Sequence, residues 1–142
     1  MPTSDSFIKK NENPHFTRNG YIPLEGQITQ GQIDQEDNSG AEVDTLKIDY
    51  LEKIISLCKQ QNARLILVTS PWFLKTSDYD MSAEVLQNLV LKHKIEFYNY
   101  SQDSLFLSNQ GLFTDIGHLN HNGAMLFSEI VTTRIKCSSS KF

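Results

Sequence analysis

A four-residue apolar run, Leu65 to Val68, constrains the fold more than any other feature of the chain. It is stopped by Pro71 and lies between two stretches of helical period. A short unbroken apolar run reads as a strand buried on both faces, the pattern of a parallel sheet. Proline cannot donate to a ladder, so the strand must end before it. Upstream, apolar residues recur at Val43, Leu46, Tyr50, Ile54 and Leu57, with Ile48, Leu51 and Ile55 beside them. That spacing predicts a helix with a broad buried face, running to about Gln61. Glu42 stands three residues after Ser39, so a capping box is expected to open it. Downstream, Val85, Leu86, Leu89 and Val90 predict a second helix over about 81–93. "IEFYNY", 95–100, predicts a second strand. A last helix carries Ala124, Phe127, Ile130, Val131 and Ile135 on one face.

Helices alternating with strands imply βαβ crossovers and a parallel sheet with helices on its faces. Two strands make a poor sheet, because globular sheets usually have about four to six. Further strands must then come from the first 40 residues or from outside the chain. Residues 1–40 hold only nine apolar residues, and their charges sum to −3. Such a stretch cannot order itself alone. The expected organisation is a polar loop or tail over 1–38, an α/β domain over 39–137 and a tail over 138–142. Within the first segment, Tyr21, Ile22 and Leu24 are expected to dock on the core.

A chain of 142 residues with 39% hydrophobic and 21% charged content suits one globular domain. Its net charge of −4, with no basic cluster, argues against nucleic acid as a partner. No apolar window reaches the roughly 18 residues of a membrane span. The first residues have no signal-peptide shape, so the sequence indicates no compartment. Cys58 and Cys137 make no framework and read as plain thiols.

The chemistry concentrates in "FTDIGHLNHNGA", 113–124. Asp115 and His118 are three residues apart, across a turn that contains Gly117. A carboxylate bonded to one imidazole nitrogen fixes the tautomer, and the other nitrogen is then free to take a proton. Spacing alone is weak, since Asp-x-x-His also arises in ordinary surface turns. Asn120 or Asn122 offers a cap for the last helix. Asp115, His118 and His121 could instead bind a metal, but His121 starts the helix and no fourth ligand is evident. The reading therefore carries neither metal nor cofactor.

The block "FTDIGHLNHNGAMLFSEIV" resembles the final conserved segment of the SGNH hydrolase superfamily, which includes GDSL-type esterases and carbohydrate O-acyltransferases. "LILVTSPWF" is similar to that family's central strand, and the resemblance spans roughly 41–136. It implies a three-layer, flavodoxin-like α/β sheet, seen only in its C-terminal portion. It implies acyl-ester chemistry, with His118 as general base, Asp115 as its partner, and an acyl ester or carbohydrate as substrate. Trp72, in an aromatic loop with Phe73 and Tyr79, and Asn120 are the expected substrate contacts. The family's Gly-Asp-Ser nucleophile block and its Gly-x-Asn-Asp block are both absent. An N-terminal segment or a partner chain is then expected to supply them. Ser70 is a poor substitute, because Pro71 after it has no N–H for an oxyanion. Ser101 and Ser104 are no better placed. A domain of this kind without its nucleophile would be a binding module for a glycan or a partner protein.

Overall fold

The computed structural model describes residues 21–33, 43–73 and 81–139. The elements run α1 (Gln30–Ile33), α2 (Thr45–Gln60), β1 (Ile66–Thr69), α3 (Met81–His93), β2 (Glu96–Asn99), α4 (Ser104–Leu107), a 3-10 turn (Gln110–Leu112) and α5 (His121–Ser139). Helix α2 starts later than the sequence pattern predicts. Asp44 is its cap and accepts from the N–H groups of Leu46 and Lys47 at 3.0 and 3.3 Å. A carboxylate serves a helix start as well as a serine does. Ser39 and Glu42 lie outside the described residues.

Both long helices before the strands end in the same way. Asn62 and Lys94 take left-handed backbone, at φ 51° and 55°. The next residue closes a bond five positions back, Ala63 N–H to the Cys58 carbonyl and Ile95 N–H to the Val90 carbonyl. This Schellman-type ending turns the chain sharply into a strand. Strands β1 and β2 pair in parallel, with Ile66 opposite Glu96 and Thr69 opposite Asn99.

The expected three-layer, flavodoxin-like sheet is not found. Among the described residues the chain is mostly helical, with five helices and one two-stranded parallel sheet. The physical reason lies in β1. An inner strand of such a sheet needs a paired strand on each edge and a layer over each face, and among the described residues β1 pairs only with β2. Val68 remains 37% exposed. Helix α2 shows the same shortfall: Ile55 is buried, but Leu46, Tyr50, Ile54 and Leu57 are each at least half exposed. The apolar period is therefore a sound guide to helix and strand, but not to how much of each is covered.

The core lies under the C-terminal half. Phe106, Phe113 and Ile116 pack together with Ile28, against Phe127 and Ile130 of α5. Ile28 comes from the polar N-terminal segment. Its N–H donates to the Phe113 carbonyl at 2.8 Å, and its own carbonyl accepts from Gln110 Nε2 at 2.8 Å. Tyr21, Ile22 and Leu24, the expected anchors, are exposed. Leu24 and Tyr21 approach α5 by polar contacts: the Leu24 carbonyl accepts from the His121 N–H, and the Tyr21 hydroxyl meets His121 Nδ1 at 3.0 Å. On the sheet, Tyr98 and Tyr100 are buried against α5, where the Arg134 guanidinium lies over the Tyr98 ring.

Helix α5 passes close to the 3-10 turn at Gly123. A Cβ there would overlap the Leu112 carbonyl oxygen and press on the Leu119 side chain. Gly123→Ala is therefore expected to destabilise the protein by about 1–3 kcal/mol, the usual cost of overpacking. Gly31, in α1, has open space around it, so Gly31→Ala should cost nothing. Urea unfolding of both variants checks the contrast; equal midpoints would contradict this packing.

Candidate functional site

The site is built on a tight reversal of the chain between α4 and α5. Phe113 and Leu119 form an antiparallel bridge, and the Thr114 N–H donates to the His118 carbonyl at 2.9 Å. Residues 114–118 are thus the tip of a small hairpin. Phe113 and Ile116 turn their side chains into the core, at 0% and 4% exposure. The Ile116 carbonyl also accepts from the Phe73 N–H at 2.9 Å, so the tip is tied to the segment leaving β1. The Phe73 ring packs on Phe113, 5.1 Å between centroids.

Asp115 stands between those two buried side chains and points outward. Its Oδ1 accepts from the Gly117 N–H at 2.9 Å, an Asx turn that fixes the carboxylate before any partner is considered. His118 Nδ1 then lies 2.9 Å from Oδ1 and 3.0 Å from Oδ2. Partial burial disfavours the charge on Asp115. The hydrogen bonds from His118 and from the Gly117 N–H outweigh it and leave the carboxyl below its ordinary value. An ionised carboxylate only accepts, so Nδ1 must carry a proton, and in the neutral imidazole Nε2 is then the nitrogen with the lone pair. The imidazole is 68% exposed, and no group among the described residues bonds to Nε2.

The other expected site residues divide. Trp72 is brought to the turn that carries the pair: a Cβ on Gly117 would stand 3.2 Å from its ring. Asn120 is not presented to solvent. It is 5% exposed, its Oδ1 caps α5 through the Gly123 N–H, and its Nδ2 donates to the carbonyls of Gly26 and Gly111 at 3.0 and 2.7 Å. Those bonds occupy its amide within the protein. Ser101 Oγ donates to Asn99 Oδ1 rather than to an imidazole, and Ser104 is the first residue of α4. His121 turns its Nδ1 to Tyr21. Among the described residues no three acidic, histidine or cysteine side chains converge as a metal site would require. Tyr79 lies outside the described residues. A groove of about 600 Å³ runs along α2, lined by Asp49, Glu52, Lys53, Ser56, Leu57 and Gln60, and none of the expected site residues borders it.

Sequence reasoning assigns no role to the backbone N–H groups of Gly117 and Phe73, which hold Asp115 and Ile116. The signal for Gly117 was available, since Asp-x-Gly is a common Asx-turn spelling. Phe73 gave none, because its role is a backbone bond to a residue far along the chain, which no side-chain pattern reports.

Two outcomes follow from this geometry. Asn120→Ala removes a cap and takes their amide donor from the Gly26 and Gly111 carbonyls, so a loss of about 2–4 kcal/mol is expected in urea unfolding. A loss under about 0.5 kcal/mol would mean that the amide is not structural. For Asp115, a folded-state value below the ordinary one means that stability is gained above the ordinary value. It is lost as pH falls through the folded value. The stability gap between wild type and Asp115→Asn should be widest above about pH 4 and close on further acidification. A gap that does not change with pH would contradict an ionised Asp115 held by these bonds.

No curated protein and no solved structure matches the chain. A family model does match, over residues 31–140, and it describes an uncharacterised family. Because the match covers well over half of the sequence, the protein belongs to that family.

Proposed function

We propose that this chain supplies the general-base pair of an acyl-transfer site acting on ester bonds, as an esterase or a carbohydrate O-acyltransferase. The observation that carries the reading is the two-point bond between His118 Nδ1 and the Asp115 carboxylate, with Nε2 open to solvent. In this reading Nε2 takes the proton of an attacking hydroxyl as its oxygen bonds to the acyl carbon. The imidazolium, held by Asp115, returns that proton to the departing alkoxide as the ester bond breaks. The hydroxyl belongs to a residue or acceptor beyond the described contacts of His118. The sequence likeness to SGNH hydrolases around 113–131 supports the same chemistry.

A second reading is favoured by a different observation. Nε2 has no hydroxyl partner among the described residues, and Trp72 is 39% exposed beside the pair. A binding module for a glycan would present such a surface without turnover.

Cleavage of p-nitrophenyl acetate by the purified chain separates the two. On the first reading His118→Ala should lower the rate by about 10²-fold, the usual contribution of a positioned general base. His121→Ala, which removes another exposed histidine, should not. Equal rates for wild type and His118→Ala would overturn the enzymatic reading.

A further inference from the structure

The two chain segments that leave the sheet meet at Trp72. Its N–H donates to the Ser101 carbonyl at 3.0 Å, joining the loop after β1 to the loop after β2. The next N–H, of Phe73, holds the Ile116 carbonyl at 2.9 Å. Between these two bonds the indole lies across Gly117. A Cβ at 117 would stand 3.2 Å from Cζ3, 3.5 Å from Cη2 and 3.8 Å from Cε3. The ring thus covers the residue whose N–H fixes Asp115 Oδ1. A Cβ at 117 would require the indole to give by a few tenths of an ångström, so ring and turn are in close contact.

We propose that Trp72 is a positioning residue for the Asp115–His118 pair, acting through Gly117, rather than chiefly a substrate contact. The inference rests on the general-base reading above. The ring presses the Asp115–Gly117 turn onto the end of the sheet. The Gly117 N–H then keeps the carboxylate aimed at Nδ1, and the aimed carboxylate keeps the proton there. Loss of the ring frees the tip of the hairpin, and the imidazole samples both tautomers.

The test uses the full chain labelled with ¹⁵N-histidine, at a pH where the imidazoles are neutral. Long-range ¹H–¹⁵N correlation reads the proportion of the Nδ1–H form at His118. Relative to wild type, Trp72→Ala should lower the Nδ1–H to Nε2–H ratio about fivefold, as weakening one hydrogen bond would. Trp72→Phe, which still covers Gly117, should restore most of it. Gly117→Ala, which pushes the ring away and leaves Trp72 in place, should lower the ratio as well. This second variant decides the matter if Trp72→Ala does not fold. A folded Trp72→Ala or Gly117→Ala protein with the wild-type ratio overturns the positioning role and leaves the general-base reading intact. A wild type that itself lacks the Nδ1–H form overturns both.

Discussion

The burial of Phe113 and Ile116 is the constraint on which the rest depends. Their side chains are nearly inaccessible, and Asp115 lies between them. Two anchors so close in the chain leave the intervening backbone little freedom, so the carboxylate must face outward. The core that receives them is assembled from distant parts of the chain: Ile28 near the N-terminus, Phe106 in α4, and Phe127 and Ile130 in α5. Each burial is ordinary in strength. Their joint effect is to give a surface turn the rigidity of a core element. A carboxylate–imidazole pair on a free loop would lose much of its interaction to side-chain entropy and solvent. Here packing on either side of Asp115 removes that freedom from the carboxylate.

Polar groups finish what the core begins. Asn120 is the clearest case, because one buried amide joins the start of α5, the 3-10 turn and the N-terminal segment. The Gly123 N–H is held by Asn120, and the space beside Gly123 is taken by the Leu112 carbonyl. The Asn-x-x-Gly spelling after His118 therefore has a packing explanation that needs no ligand. Gly117 is likewise in close contact with the protein itself, beneath the Trp72 indole.

How far the sequence could be read follows from the range of the forces involved. Local periodicity located α3, β1, β2 and α5 well, since each depends on neighbours a few residues away. It failed on the sheet. The Leu65–Val68 run carries the composition of a buried strand, but nothing in four residues reports whether a second edge is covered. The cap of α2 was misplaced because Asp44 and Ser39 are both good caps and only the backbone chooses between them. The Asp115–His118 contact was legible, because both partners sit on one turn. Asn120 was legible as the cap of α5, but not as a tie between distant segments, because its partners on Gly26 and Gly111 are carbonyls that no side-chain pattern reveals. Ile28 lay hidden in a polar segment for a related reason: one apolar residue makes no period.

The most direct test of the account is the tautomer of His118 in the unmodified protein. Nitrogen chemical shifts of the neutral imidazole distinguish Nδ1–H from Nε2–H without any assumption about substrate. His118 should be held as Nδ1–H, with Nε2 carrying the lone pair, and Asp115→Asn should abolish this preference. A His118 that carries its proton on Nε2, or mixes the two forms as a free side chain does, would leave no positioned base and contradict the central claim.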